Sequence, residues 1–389
     1  MATQPRHLDA KPSVVRAEQV GSLLRPPALL KAADARNHNM HVARLGGSDD
    51  NGDGLESLED TFISEAIARQ LATGIGVISD GEFRRLLYTE SFYASVTGFD
   101  RPSERTLVFR GEHGRVVEAP AHPVVAKRLE KVANPPAEEA RYLASMTDRL
   151  FKVTIPAASK FLIPGVFRPG ISDADYADPD ALLEHIVAIE QELIAETVTA
   201  GARYIQLDFP LYTYLVDPDR RAQLETDGVD VERLLARCIE ADSAVVSKVP
   251  DNVYTSLHIC RGNYRSMWLY RGALDPVAER VFGELPYDSF LVEWDEVGRD
   301  GDYSALRYLA PGRVVSLGLV STKSARLETW DHLLAEIDSA SRYVDVQQLA
   351  LSPQCGFASE ASGNLIDSDT QWRKLELVAE TAGAVWPNG

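Results

Sequence analysis

The 389-residue sequence predicts an α/β protein of the (β/α)8, TIM-type barrel class. Short apolar runs rich in β-branched residues alternate with longer stretches whose apolar residues recur at three- and four-residue spacing. Near-continuous apolar strands that alternate with helices are typical of a parallel sheet covered by helices. Eight such runs match the strand number of a barrel. A doubly wound open sheet is the alternative, although no predicted strand is followed by a Gly-x-Gly-x-x-Gly turn.

The predicted strands are spread over the whole chain. They are residues 16–22, 77–82, 160–166, 204–210, 253–260, 289–295, 313–322 and 344–353. Helical spacing is clearest in three of the stretches between them, residues 57–74, 181–201 and 231–249. The first two of these stretches end at a glycine, which is common just after a helix.

One region departs from this alternation. Residues 105–120 predict a hairpin around the sequence GEHG, and residues 134–140 are expected to be a solvated connection. We therefore predict a single barrel over residues 1–389 that carries an insertion with a hairpin and a helical excursion at about 100–150. The segment 34–56 is polar and rich in Gly and Asp, so we expect it to be a loop. Its acidic residues do not have the spacing of a calcium-binding loop.

The charge balance excludes some classes of partner. Lys and Arg number 40 against 58 Asp and Glu, which gives a net charge of −18. Nucleic acid and anionic membranes both require a basic surface, so neither is expected as a partner. The N-terminus lacks the apolar core of a signal peptide and no stretch has membrane-spanning length, so a cytoplasmic location is expected.

Three cysteines in a chain of this length are too few for a disulfide framework. Cysteines of a cytoplasmic protein are more often packed, catalytic or bound to metal. Cys238 lies within the apolar stripe of a predicted helix, where a packed cysteine is the common outcome.

Polar and ionisable residues collect at the carboxyl ends of the predicted strands. In a (β/α)8 barrel these ends and the loops after them build the active site. Burying such groups is unfavourable unless they are paired or coordinated. The residues are Gly21, Ser22, Asp80, Gly81, Glu82, Asp208, His258, Cys260, Glu293, Asp295 and Cys355.

His258 and Cys260 are two positions apart near the end of an apolar run. Alternate residues of a strand point to the same side, so both can face the barrel mouth. Glu293 ends the next predicted strand and Cys355 follows the last one. Together they form a His/Cys/Glu/Cys set, which suits zinc. For the His–Cys pair alone, a packed cysteine beside a hydrogen-bonded histidine is the alternative.

Several motifs resemble those of one enzyme family. They are VGSLLRP (20–26), DGEFRR (80–85), YIQLDFP (204–210), HIC (258–260), FLVEWD (290–295) and LSPQCGF (351–357). They extend over essentially the whole chain, and each lies at a predicted strand end. On these motifs the sequence resembles the catalytic C-terminal barrel of cobalamin-independent methionine synthase and its short, single-barrel relatives.

The resemblance implies a zinc cofactor and a thiol substrate. The implied zinc ligands are His258, Cys260, Glu293 and Cys355. The implied thiol-binding positions are Val20, Gly21, Ser22, Glu82 and Asp208. The two carboxylates would act in catalysis by fixing the ammonium group of an amino-acid thiol. Zinc deprotonates a coordinated thiol, so the implied reaction is zinc-dependent methyl transfer to a thiol such as homocysteine.

The segment that follows the predicted zinc pair contains Arg261, Asn263 and Arg265. A position beyond a strand end places these residues over the pocket, where arginine can bind a carboxylate or phosphate through two hydrogen bonds. We expect at least one of them to contact the anionic part of a substrate. An exposed, solvated loop is the alternative.

The sequence departs from the family pattern on the side of the methyl donor. It has Gly318 near the place where the synthases carry a proton-donating histidine, so slow turnover with methyltetrahydrofolate is expected. The sequence does not decide between a folate and a corrinoid protein as the methyl donor. It also leaves the oligomeric state open, and a homo-oligomer is one of the alternatives. Two other functions stay open. One is transfer of another alkyl group to a thiol, as in the epoxyalkane:coenzyme M transferases, and the other is a non-catalytic barrel that binds zinc or a thiol.

Overall fold

A six-stranded parallel sheet forms the centre of the molecule. The computed structural model describes residues 10–33, 54–102, 106–111, 114–120, 122–294 and 300–387. Its strands are β1 (Val96–Pro102), β2 (Thr106–Arg110), β3 (Val116–Pro120), β4 (Pro123–Lys131), β5 (Val153–Pro156), β6 (Tyr204–Asp208), β7 (Tyr254–Ile259), β8 (Ser289–Glu293), β9 (Val314–Val320) and β10 (Leu349–Pro353). The parallel sheet has the order β10-β9-β8-β7-β6-β5, so strands adjacent in the chain are neighbours in space.

Helices connect these strands. They are α1 (Leu55–Thr73), α2 (Glu90–Tyr93), α3 (Pro135–Met146), α4 (Pro179–Thr199), α5 (Tyr212–Val216), α6 (Pro218–Thr226), α7 (Val231–Val246), α8 (Asp275–Glu284), α9 (Trp330–Ser341) and α10 (Ser368–Val385). Asp and Thr side chains begin several of them by accepting a backbone N–H of the first turn, as Asp178 does for α4 and Asp367 for α10. None of the helices in the described part of the chain is both long and apolar enough to cross a membrane.

Two short segments, residues 17–18 and 77–78, close the sheet into a ring. Parallel bridges join β10 to the first segment, the first segment to the second, and the second to the residue two before β5. The bridges are Ala17–Leu351, Glu18–Val77 and Ile78–Phe151. Backbone hydrogen bonds accompany each of them, including Gly76 N to Ala17 O at 2.7 Å and Lys152 N to Ile78 O at 2.9 Å. Eight parallel segments therefore surround the core, which confirms the predicted barrel class.

The third strand is not where the sequence analysis placed it. The prediction of a strand over 160–166 is wrong, because Ala158–Leu162 forms a 3₁₀ helix and the third strand is β5. Both runs are apolar and buried, and hydrophobic periodicity alone does not separate a short buried strand from another buried segment. The β-branched run Val153, Thr154 and Ile155 is the signal that distinguishes the real strand.

The chain between 96 and 131 leaves the parallel sheet and forms two antiparallel pairs. Strand β1 pairs with β4, and β2 pairs with β3. The β2–β3 pair confirms the hairpin predicted over 105–120. A bridge from Arg110 to Trp268 links this hairpin to the loop after β7. The β2–β3 pair therefore lies against the segment that follows the predicted zinc pair.

The expected solvated connection at 134–140 is wrong, because helix α3 begins there. Asn134 accepts the Ala137 N–H at 3.0 Å, and prolines occupy the first helical positions. Proline is compatible with a first helical turn, where its missing N–H would have no helical partner.

The division into one barrel with an insertion at about 100–150 stays a prediction. Most of the predicted loop at 34–56 lies outside the described residues, as does Asp295.

The strand register brings the polar strand ends together. Asp208 on β6 pairs with His258 on β7, and Glu293 on β8 pairs with Gly318 on β9. All four lie at or near the carboxyl ends of their strands, which in a parallel barrel meet at one face. This register explains why the polar residues at the strand ends lie close together, as the sequence analysis expected.

A buried carboxylate on α4 makes the stability of the barrel depend on pH. Glu190 is completely buried, and neither of its oxygens has a hydrogen-bond partner among the described residues. Burial raises the pKa of Glu190 well above its ordinary value, and Asp242 on α7 raises it further. The folded state therefore holds this proton more tightly than the unfolded state, so stability falls as pH rises above the unfolded pKa.

We expect Glu190→Gln to stabilise the protein at about pH 8 by roughly 1 kcal/mol or more, because a buried carboxylate without a hydrogen-bond partner costs more than a buried neutral amide. The gain should shrink towards about pH 5, where the wild-type carboxyl is increasingly protonated in both states. Urea denaturation at the two pH values measures it. Glu192→Gln, at an exposed position of the same helix, is the control. An equal gain at both pH values would contradict this account of Glu190.

Candidate active site

Three potential metal ligands form a buried cluster at the carboxyl face of the barrel. One ligand atom from each of His258, Cys260 and Cys355 lies within 4.8 Å of the other two. His258 lies on β7 and Cys260 one residue beyond it, so the two point to the same side, as the sequence predicted. Cys355 is two residues beyond β10. The fold thus brings together two ligands that are two positions apart in the chain and a third that is almost one hundred residues away.

The pKa values of the two thiols of the cluster are shifted in opposite directions. A hydrogen bond from Cys260 lowers the pKa of the Cys355 thiol well below its ordinary value, against the effect of burial, and His258 lowers it further. Burial raises the pKa of Cys260 well above its ordinary value, and the bond to Cys355 adds to this. Hydrogen bonding within the pair and the nearby His258 thus favour negative charge on Cys355 over Cys260.

His258 is held in place by a carboxylate on the neighbouring strand. Its Nδ1 donates to Asp208 Oδ1 at 3.2 Å, and Gln206 Nε2 donates to the same oxygen at 2.7 Å. Burial lowers the pKa of His258, but the hydrogen bonds to Asp208 and Cys355 outweigh it and raise the pKa to about 10. Histidine ligands of metals commonly donate their second ring N–H to a carboxylate in this way, which leaves Nε2 for the ion.

Glu293, predicted as a fourth zinc ligand, lies outside the three-residue cluster. Its Oε1 accepts from Lys323 Nζ at 3.1 Å and its Oε2 from the Arg261 backbone N–H at 2.8 Å. Its charge still acts on the cluster, because it raises the pKa of Cys260. The sequence analysis missed Lys323. The available signal was a cation placed directly after the apolar run at 313–322.

A cavity of about 720 Å³ opens beside the cluster. The three cluster residues line it together with most of the predicted substrate-binding positions. Those positions are Val20, Gly21, Ser22, Glu82, Asp208 and Asn263. A cavity of this size is in the range that accommodates small-molecule substrates, which is about 300–1,000 Å³.

Glu82 reaches the cavity through an unusual backbone conformation. Its φ is 56°, and its N–H donates to Asp80 Oδ1 at 2.8 Å. Its Oε1 accepts from Thr154 Oγ1 at 2.8 Å, whereas its Oε2 is buried with no hydrogen-bond partner among the described residues. Burial raises the pKa of Glu82, Arg85 opposes this, and Asp208 adds to it. The carboxylate thus retains hydrogen-bonding capacity for a cationic ligand.

Gly21 allows Glu82 to take this position. A Cβ at Gly21 would lie 2.6 Å from Glu82 Oε1, closer than real Cβ contacts allow. Gly356 makes a similar close approach, because a Cβ there would lie 2.1 Å from Ser22 Oγ. Ser22 in turn accepts the Phe357 and Ala358 N–H groups through its carbonyl and hydroxyl oxygens. The segment 20–22 is therefore fixed against the loop that carries Cys355.

The three residues predicted to contact the anionic part of a substrate have different positions. Arg261 is 1% exposed, and its guanidinium donates to the carbonyls of Gly272 and Asp300 and lies 3.5 Å from the Asp300 carboxylate. These contacts correct the expectation for Arg261, whose side chain holds a loop together instead. Asn263 lines the cavity and donates to Gly356 O at 2.8 Å. Arg265 is exposed.

The backbone around Gly318 leaves no room for a side chain. A Cβ at Gly318 would lie 2.7 Å from the Val292 carbonyl oxygen and 3.0 Å from Gln354 Cα. Strands β8 and β9 and the loop after β10 therefore approach one another more closely than any residue but glycine allows.

Comparison with known proteins identifies the family. The family described as "Cobalamin-independent synthase, Catalytic domain" matches residues 35–369. The chain is 31% identical to the protein YxjG of Bacillus subtilis over 98% of each chain. It is 24% identical to the methionine synthase of Pyrococcus abyssi, over 92% of this chain and 88% of the relative.

A solved structure shares the fold. It is a B12-independent methionine synthase from Shewanella sp. W3-18-1 in complex with selenomethionine, which is 17% identical and aligns with a TM-score of 0.67 over 96% of this chain and 98% of that one. The family match extends over most of the sequence and includes every residue of the three-residue cluster. The chain therefore belongs to the cobalamin-independent methionine synthase family of methyltransferases.

Proposed function

We propose that the protein is a zinc-dependent enzyme that transfers a methyl group to a thiol such as homocysteine. The observation that carries this proposal is the cluster of His258, Cys260 and Cys355 at the wall of a cavity that also contains Glu82 and Asp208. A relative from Lactiplantibacillus plantarum whose name describes it as a homocysteine methyltransferase supports homocysteine as the methyl acceptor.

The cluster has the chemistry of a catalytic zinc site. Imidazole and thiolate are ligands that zinc prefers, and catalytic zinc sites commonly have three protein ligands and an open fourth position. His258, Cys260 and Cys355 would hold the zinc, and coordination of a substrate thiol would lower the thiol pKa and favour the thiolate at neutral pH. The role of Glu293 as a further ligand stays a prediction, since its carboxylate is bound by Lys323 and the Arg261 N–H.

The protein's own groups would orient the thiol substrate. The unpartnered Oε2 of Glu82 would accept a hydrogen bond from the ammonium group of an amino-acid thiol. Asp208 uses Oδ1 for His258 and Gln206, so its other oxygen would serve the same ammonium group. Asp208 would thereby link the orientation of a metal ligand to the orientation of the substrate.

The test is mass spectrometry of homocysteine incubated with the zinc-loaded protein and methyl donors. We expect methionine to form, slowly from methyltetrahydrofolate and faster from a donor whose leaving group needs no proton. The slow reaction follows from the missing histidine near Gly318, because a positioned general acid contributes about 10² to 10⁴ in rate. The names of the relatives bring no support for a corrinoid protein as donor. Zinc-loaded protein that alkylates no thiol with any donor would contradict the enzyme proposal.

We expect Gly21→Ala to weaken homocysteine binding about tenfold or more without loss of zinc. The added methyl group would displace the Glu82 carboxylate, which removes a charge-assisted hydrogen bond worth roughly 1.5–3 kcal/mol. Calorimetric titration of the zinc-loaded variant with homocysteine measures the change. Gly383→Ala is the control, because a Cβ there meets nothing within 4 Å. An unchanged affinity of Gly21→Ala for homocysteine would show that homocysteine binding does not depend on the present position of the Glu82 carboxylate.

A further inference from the structure

The cavity extends from the metal cluster to the antiparallel pairs, and this second part is mainly apolar. Strands β1 to β4 contribute apolar side chains to its lining. They are Phe99, Leu107, Phe109, Ala119 and Pro123. His122, between β3 and β4, is the polar residue that the same region adds to the wall. The cavity is larger than an amino-acid thiol needs, so this part is available to a second ligand.

His122 forms a pair with a buried lysine. Lys160 Nζ lies 3.1 Å from His122 Nδ1, and Lys160 is 2% exposed. No carboxylate of the described residues forms an ion pair with this lysine. Its Nζ lies 5.8, 5.9 and 5.5 Å from the ring centroids of Tyr88, Tyr93 and Phe161. A lysine buried among aromatic rings without a carboxylate is costly, which makes a purely structural role a poor explanation.

The pair fixes the hydrogen-bonding capacity of the imidazole. When Lys160 is an ammonium it donates to Nδ1, and the neutral ring then carries its hydrogen on Nε2. Burial and Lys160 hold the pKa of His122 well below its ordinary value, so the ring is neutral. Its Nε2 and the hydroxyl of Tyr93 are both buried with no hydrogen-bond partner among the described residues. Two donors from residues that line the cavity therefore lack an acceptor, at a cost of about 1–3 kcal/mol each.

One continuous wall connects this pair with the thiol site. The Tyr88 ring, beside Lys160, makes an edge contact with the Phe209 ring at 6.1 Å. Phe209 directly follows Asp208, and both aromatic residues line the cavity. A ligand beside His122 would therefore share the cavity with a thiol at the cluster.

We propose that His122, Lys160 and Tyr93 form the subsite of the alkyl donor, and that this donor has an apolar or aromatic body with an oxygen acceptor such as a carbonyl or carboxylate. This inference rests on the proposed function, in which a second substrate must share the cavity with the thiol. The apolar lining accommodates the body of the donor, and the two unpartnered donors bind its oxygen. Burial lowers the pKa of Lys160 to about 7, so near neutral pH this amine carries only part of a positive charge behind His122.

The test is calorimetric titration of the full-length, zinc-loaded protein with two probes, methyltetrahydrofolate and benzoate. We expect at least one probe to bind, and His122→Phe and Tyr93→Phe each to weaken its binding about tenfold, as expected for the loss of one hydrogen bond. Both variants retain an aromatic ring, and Tyr93→Phe removes only the hydroxyl. His332→Phe, at a side chain that is 54% exposed, is the control.

Zinc content and homocysteine affinity measured on the same samples separate the two proposals. We expect both to be unchanged in the His122 and Tyr93 variants. Wild-type protein that binds neither probe, or variants that bind the probe as well as wild type, would overturn the subsite. Wild-type protein that lacks zinc and homocysteine binding but shows His122-dependent probe binding would overturn the proposed function and the role of the ligand as alkyl donor, and would leave only a ligand site at His122 and Tyr93.

Discussion

Replacing Cys355 by serine is expected to abolish stoichiometric zinc binding and thiol alkylation together. The substitution removes one of the two sulfur ligands and leaves one thiol and one imidazole, and a serine hydroxyl is a poor zinc ligand at neutral pH. Wild-type protein should carry about one zinc per chain. Elemental analysis of the purified variant measures the loss directly, and it does not depend on knowing the methyl donor.

Cys238→Ser is the matched control for this experiment. Cys238 is completely buried on α7, which confirms the packed position predicted from the sequence, and burial raises the pKa of its thiol well above the ordinary value. This variant should keep its zinc even if it loses some stability. Full zinc in the Cys355→Ser protein, or zinc lost equally from both variants, would contradict the assignment of the cluster.

Glu293→Gln tests the predicted fourth ligand separately. If Glu293 only orients the metal ligands, this variant should retain zinc with affinity lowered about 10- to 100-fold. Complete loss of zinc would instead place Glu293 among the ligands, as the sequence analysis expected.

Glu82→Gln is expected to raise the KM for homocysteine about 10- to 150-fold, with a smaller effect on kcat. The substitution removes a charge-assisted hydrogen bond to the substrate ammonium group, worth roughly 1.5–3 kcal/mol. The shape of the side chain and its bond to Thr154 are conserved. Zinc content should not change, because Glu82 lies outside the metal cluster.

A thiol without the amino group, 4-mercaptobutyrate, provides the sharper comparison. Wild type and Glu82→Gln should use this thiol equally poorly, because neither can form the bond to an ammonium group. Glu360→Gln, at another carboxylate of the cavity wall, should leave the KM for homocysteine near the wild-type value. The same loss with both thiols would show that Glu82 acts on something other than the ammonium group.

Much of the fold could be predicted because its signals are local. Alternation of β-branched runs with helical spacing located seven of the eight barrel segments, since each strand or helix buries its own apolar residues. The third strand was misplaced because two buried apolar runs follow each other around Pro156, and burial alone does not specify strand geometry. Helix α3 was missed because prolines at a helix start resemble a loop in the sequence.

Residue types and their spacing were sufficient to predict the chemistry of the candidate site, whereas the pairing of its groups depends on tertiary packing. The spacing of His258 and Cys260 was sufficient to place both on one side of a strand, because side-chain direction alternates with each residue. The pairing of Glu293 with Lys323, the burial of Arg261 and the contact of His122 with Lys160 join residues on different segments. Such contacts depend on how separate elements pack, and no local pattern encodes the distance between side chains that the closed barrel brings together.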